Sequence, residues 1–197
     1  KYGADIWLKR EDLSPVRSYK IRGAFNAMRK VRETDPDQTL FVAASAGNHA
    51  QGVAMAAAKL RLTATIVMPK TTPEIKIAAV RRLGAEMILH GNTYDEASEH
   101  AHLISEDTGA VYIPAYDHPL VIAGQGTVGM EILRQHAGRI DAIFVPVGGG
   151  GLIAGISAYI KALEPSIRVI GVEAEDAASM KSALEAGDRV ALEHIGI

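Results

Sequence analysis

Short runs rich in Val, Ile and Phe alternate along the chain with longer stretches in which Ala and Leu recur at helical spacing among charged residues. Short apolar runs bounded by Gly, Pro or Asp read as strands, and longer runs with a 3.6-residue period read as amphipathic helices. This pattern predicts strands over residues 6–9, 40–44, 64–68, 86–90, 142–147 and 168–173. Helices are expected over residues 19–33, 48–60, 73–83, 94–108, 120–135, 152–163 and 177–186. Strand and helix in regular alternation favour an α/β fold, a mostly parallel sheet with helices on both faces.

The uncharged stretch over residues 142–160 is long enough to suggest a membrane span, but Pro146 and the run Gly148 to Gly151 interrupt it. It therefore reads as strand, turn and helix. A chain of 197 residues can bury a full core and fits one domain, or one domain and part of another. Its net charge of -2 gives no electrostatic reason to expect nucleic acid or a membrane as partner, which leaves a small molecule. The lack of cysteine excludes disulfides and thiolate chemistry and suits a reducing cytoplasm. No apolar export signal stands at the start. The histidines are too scattered for a zinc site, and no metal is expected.

Open parallel sheets bind ligands outside the carboxyl ends of their strands, and the unusual residues lie there. After the strand ending near Val147 come Gly148, Gly149, Gly150, Gly151 and Leu152. Consecutive glycines let several amides converge on one anion, and the positive end of the next helix adds to the attraction. A flexible turn or close chain crossing is the plainer alternative. The spacing is neither that of a dinucleotide fingerprint nor that of a Walker loop.

Lys20, in Ser18-Tyr19-Lys20-Ile21-Arg22-Gly23-Ala24, opens a helix whose dipole disfavours the ammonium form and so favours a nucleophilic amine. Most lysines are simply solvated. Between a strand and a helix stand Ser45-Ala46-Gly47-Asn48-His49, where Ser45 or Asn48 can cap the helix. A cap needs only one of them, and the surplus small and polar residues suit a carboxylate.

Together these three segments resemble the threonine dehydratases, pyridoxal-phosphate enzymes whose fold is shared with the tryptophan synthase β subunit. The resemblance extends to Lys9-Arg10-Glu11-Asp12, Asp117-His118-Pro119 and Ala123-Gly124-Gln125-Gly126-Thr127, and so spans essentially the whole chain. It implies two parallel-sheet, three-layer domains: a smaller one over residues 38–116 and a larger one built from residues 1–37 and 117–197. By the same resemblance, Lys20 carries pyridoxal 5'-phosphate as a Schiff base and Asn48 bonds its ring hydroxyl. Gly148, Gly149, Gly150, Gly151 and Leu152 hold its phosphate. Ser45, Gly47 and His49 present backbone and side-chain donors to the substrate carboxylate.

The implied reaction is elimination of water from L-threonine, giving 2-oxobutanoate and ammonia, with pyruvate from L-serine as a side reaction. In a biosynthetic enzyme this is the first step toward isoleucine. A cytoplasmic homo-oligomer is expected, and the chain reads as an excerpt of a longer enzyme. Serine racemases of this fold supply a second acid/base from a serine where Ala46 stands here, so elimination is favoured over racemisation. They also bind a divalent cation through late acidic residues. Glu173 matches that pattern, but Ser179 replaces an expected carboxylate.

Overall fold

The structure, a computed structural model, describes residues 3–190 and residue 192. Its elements run α1 (Lys20–Thr34), β1 (Leu40–Ala44), α2 (Asn48–Leu60), β2 (Thr63–Met68), α3 (Glu74–Arg81), β3 (Glu86–Leu89) and α4 (Tyr94–Thr108). They continue with β4 (Val111–Tyr112), α5 (Pro119–Gln135), β5 (Ala142–Pro146), α6 (Gly151–Leu163), β6 (Arg168–Val172) and α7 (Ser179–Ala186).

β1 to β4 form one parallel sheet in the order β3-β2-β1-β4. The two-residue period of a strand sorts its side chains between two cores. Phe41, Ala43, Ala64, Ile66 and Met68 join α1, α2 and α3 on one face. Val42, Ala44 and Val67 meet Ala97 and Ala101 of α4 on the other. With both faces covered, β1 and β2 read in sequence as nearly unbroken apolar runs.

β5 and β6 pair in parallel in a second sheet. Ile143 and Val145 pack with Val128, Leu152, Ile156 and Ile160 of α5 and α6, while Phe144 on the opposite face is exposed. α1 lies between the two units. Its Ala24, Ala27 and Met28 belong to the core of the first sheet, whereas Tyr19 just before it packs with the second.

The strand expected over residues 6–9 does not form. The segment pairs with no strand among the described residues, and Ile6, Trp7 and Leu8 are exposed. Alternating apolar residues define a strand only when a neighbour accepts their backbone groups. Conversely β4, two residues long, is too short to leave a periodic trace.

Candidate active site

The order β3-β2-β1-β4 means that the chain winds outward from β1 through β2 and β3, then returns through α4 to β1's other side. Such a reversal opens a crevice beyond the carboxyl ends of the two strands that flank it. Here they are β1, followed by residues 45–49, and β4, followed by residues 113–116. One bond ties the two loops: the His49 Nε2 lies 2.8 Å from the Ile113 carbonyl.

His49 falls one helical turn before Val53, on the face of α2 that carries Ala50, Ala54 and Ala57 into the core. Its ring is therefore buried, 4 % exposed. With Nε2 donating to Ile113, Nδ1 is left without a partner. Burial takes the pKa down to about 4, opposed by the Ile113 bond and assisted by the Lys20 charge, so the ring is neutral near pH 7. The imidazole is thus a latch between loops, tying the start of α2 to the segment after β4.

Neither Ser45 nor Asn48 caps α2. Gly47 occupies the cap position without a side-chain bond, and Ser45 Oγ accepts from the Gly47 amide at 3.1 Å. The first-turn amides of α2 are left without a side-chain cap, as a carboxylate site requires. Asn48 is exposed at the start of the helix.

Lys20 is the first residue of α1, and its Nζ donates to the Ala115 carbonyl at 2.6 Å. The rings of Tyr19 and Tyr116 flank the amine, their centroids 5.6 and 5.9 Å away. Burial pushes its pKa below the ordinary lysine value. The sequence pointed to the helix dipole for this effect; in the structure desolvation is the cause, and the helix end acts in the same direction.

Tyr116 also links Lys20 to the glycine run. A Cβ on Gly149 would enter the Tyr116 ring, and one on Gly151 would lie 2.7 Å from the Tyr116 carbonyl. Gly150, the cap residue of α6, has φ +83, a left-handed conformation natural to glycine. No side chain caps α6. Gly148 to Leu152 therefore bring uncapped amides and a positive helix end together, the donor set that a phosphate requires.

All three sequence-predicted segments thus meet around residues 113–116, which sequence reasoning passed over. Ile113 and Ala115 act through backbone carbonyls, which leave no mark in a sequence. The pairing of Pro114 and Pro119 around Tyr116 was the available signal. Glu173, the candidate cation ligand, has both carboxylate oxygens on α7 amides, Met180 and Lys181, each at 2.9 Å. Among the described residues no cluster of His, Asp and Glu suits a metal ion.

A family model described as "Pyridoxal-phosphate dependent enzyme" matches residues 1–196. The chain belongs to this family. Its relatives include the biosynthetic, chloroplastic threonine dehydratase of Arabidopsis thaliana, 56 % identical over the whole chain and 33 % of that protein. The L-threonine dehydratase biosynthetic IlvA of Escherichia coli is 50 % identical over 98 % of the chain and 37 % of that protein. Among solved structures, the processed form of threonine deaminase isoform 2 from Solanum lycopersicum superposes with a TM-score of 0.90 at 52 % identity. That match covers 95 % of this chain and 51 % of the other. Maize serine racemase superposes at 0.89 with 35 % identity, covering 95 % and 56 %. The chain thus spans about a third of the length of these curated relatives. This pyridoxal-phosphate enzyme has the tryptophan synthase β-like fold that its sequence implied, and its uncapped glycine loop and desolvated lysine fit the family's cofactor.

Proposed function

We propose that Lys20 holds pyridoxal phosphate and that the enzyme converts L-threonine to 2-oxobutanoate and ammonia. The observation that carries this reading is the Lys20 amine, desolvated on the Ala115 carbonyl and joined through Tyr116 to the glycine loop. When bound, the cofactor supplies an electron sink that makes the substrate's Cα proton removable.

The chain's own groups do the rest. The amides of Gly148, Gly149, Gly150, Gly151 and Leu152 hold the phosphate, and the Asn48 side chain meets the ring hydroxyl. Ser45, Gly47 and the His49 amide orient the substrate carboxylate at the start of α2. Lys20 Nζ takes the Cα proton as general base, and a pKa lowered by burial keeps more of it neutral for that task. The Ala115 carbonyl then holds the ammonium so formed. The β-hydroxyl takes up that proton and leaves as water, and the released enamine is hydrolysed to 2-oxobutanoate and ammonia.

The names borne by the relatives from Arabidopsis thaliana and Escherichia coli support threonine as substrate. A methyl group separates threonine from serine by only about 1–3 kcal/mol in an apolar pocket, so slower pyruvate formation from L-serine belongs to the same reading. Racemisation is the rival that the likeness to maize serine racemase raises, and Ala46 has no hydroxyl to serve the opposite face. The rival outside catalysis is a phosphate-binding module that uses the glycine loop and leaves Lys20 idle; a colourless protein that still binds phosphate compounds would support it.

The proposed division sets residues 38–116, which contain the whole first sheet, against residues 1–37 and 117–197. A cytoplasmic homo-oligomer completes the reading, to be checked by fractionation and sedimentation. Among the described residues no helix is long and apolar enough to cross a membrane.

Borohydride reduction of the coloured protein should fix the label on Lys20, and Lys20→Ala should lose both the visible band and threonine turnover. A label on another lysine, or turnover of the variant within tenfold of the parent, rules Lys20 out.

A further inference from the structure

Lys9, Glu11, Arg22 and Glu131 form a compact cluster of two cations and two carboxylates, with side chains between 16 % and 30 % exposed. Arg22 is its centre. Its Nε and Nη2 donate to Glu11 at 2.7 and 2.8 Å, and its Nη1 and Nη2 donate to Glu131 at the same two distances. Nη1 also reaches Thr127 Oγ1 at 3.0 Å, whose hydroxyl donates to the Gly124 carbonyl at 2.7 Å. Lys9 adds a bond of 2.6 Å to Glu131.

Every donor of the Arg22 fork that faces the cluster is engaged in a fixed plane, a geometry that lysine cannot reproduce. Four charges gathered at this depth are a weak source of stability, because desolvation offsets their attraction. What the arrangement does fix is position. Arg22 follows Lys20 by two residues, about 200° around the helix, so the cluster grips the side of α1 away from Lys20. On that side the Arg22 carbonyl approaches α5 so closely that a Cβ on Gly124 would lie 2.5 Å from it. Local capping does little for this turn, since Tyr19 provides no cap and Ser18 Oγ takes only the Lys20 amide, at 3.2 Å.

We propose that Arg22 is a positioning residue for Lys20: clamped between Glu11 and Glu131, it sets the rotation of the first turn of α1 and so the place of the Lys20 amine. The proposal rests on the assignment of Lys20 as the cofactor lysine. Its test uses the holoenzyme and three variants, Arg22→Lys, Glu131→Asp and, as a stability control in the core of α3, Val80→Ala. Visible circular dichroism per unit absorbance reads how the cofactor is held, without substrate. Steady-state kinetics then separate kcat from KM.

Misplacement by about 1 Å costs on the order of 100-fold, so Arg22→Lys should lower kcat by roughly 10- to 100-fold with KM for threonine within about threefold. Its dichroism ratio should change, while Val80→Ala keeps the parent ratio and kcat after whatever loss of Tm it suffers. If Arg22→Lys does not fold, Glu131→Asp, which keeps the charge and withdraws the carboxylate by one carbon, is read in the same way. A parent-like ratio and kcat in the folded cluster variant overturns the proposal. Borohydride labelling of each variant keeps the two ideas apart. A label away from Lys20 in the parent sinks the lysine assignment, whereas a label on Lys20 with parent-like dichroism and kcat in the cluster variant sinks only the positioning role.

Discussion

Alanine at Gly155 and alanine at Gly129 make a matched pair on the same helix interface with opposite expected signs. Both glycines lie inside helices, α6 and α5, where alanine is intrinsically better by about 1 kcal/mol. At Gly155 the new Cβ would strike the Ile122 carbonyl and lie 2.6 Å from the Gly126 nitrogen and 3.1 Å from the Gln125 carbonyl carbon. All three are backbone atoms, so no flexible side chain can give way and the helices must part. Overpacking costs typically 1–3 kcal/mol, and a wholly backbone contact belongs near 3. Net destabilisation by Gly155→Ala is then about 2 kcal/mol, or on the order of 4–8 °C in Tm for a unit of this size. At Gly129 the nearest atoms, on Ile156 and Ile160, stand at 3.5 Å, an ordinary contact, so Gly129→Ala should gain up to about 1 kcal/mol. Gly155 also lies one turn beyond Gly151, so parting the helices should weaken cofactor binding as well. Denaturant melts of the holoenzyme with cofactor titration measure both effects. Equal stability for the two variants would refute the argument that backbone contact fixes this crossing.

Three further outcomes are expected. Gly149→Asp should weaken cofactor binding at least tenfold, through the carboxylate's charge and through its Cβ against the Tyr116 ring; parent-like affinity in a cofactor titration would remove the phosphate from this loop. His49 titrates near 6.5 when unfolded and about 4 when folded, so between these values the unfolded chain binds the extra proton and stability falls as pH drops, by on the order of 3 kcal/mol in all. That contribution is intact above pH 6.5; His49→Gln should flatten the slope between pH 6.5 and 5, and an unchanged slope would show that the ring is not held neutral. L-serine in deuterated water should give pyruvate without D-serine, and chiral chromatography finding D-serine at a comparable rate would contradict the meaning attached to Ala46.

Much of this fold was legible because its helices carry strong local signals. The expected bounds of α2 and α4 coincide with those observed, the latter fixed by Thr93 and Glu96 in a reciprocal capping box. The failures share one cause, dependence on partners distant in sequence. Residues 6–9 have a strand's pattern and no strand beside them, whereas β4 forms from two residues because β1 is there to receive it. His49 was legible as a residue at the start of a helix, and its spacing to Val53 and Ala57 marked the buried face. What the sequence did not show is that the ring is spent on the Ile113 carbonyl, 64 residues away, which leaves the backbone amide as the donor that the proposed carboxylate site uses. Lys20 was recognisable from its motif, but its acceptor, Ala115, lies 95 residues away and acts through a carbonyl.

The glycines of α5 complete the account of how the site is spaced. Lys20 is carried by α1 and the glycine loop by α6, so their separation depends on what stands between the two helices. That element is α5. Gly124 receives the Arg22 carbonyl of α1, and a Cβ on Gly126 would lie 3.0 Å from the Gly155 carbonyl of α6. Two residues apart, Gly124 and Gly126 point about 200° from each other, so α5 meets one helix on each side at backbone distance. Gln125 between them is buried, and its Nε2 packs against Gly23 of α1. Ala123-Gly124-Gln125-Gly126-Thr127 contributes no group to the proposed chemistry, and Thr127 ends it by bonding the Arg22 fork. Its glycines set how near the lysine and the phosphate loop can come. A larger residue at either position would replace none of the proposed ligands, yet it would move one helix away from the other and Lys20 away from the phosphate loop with it.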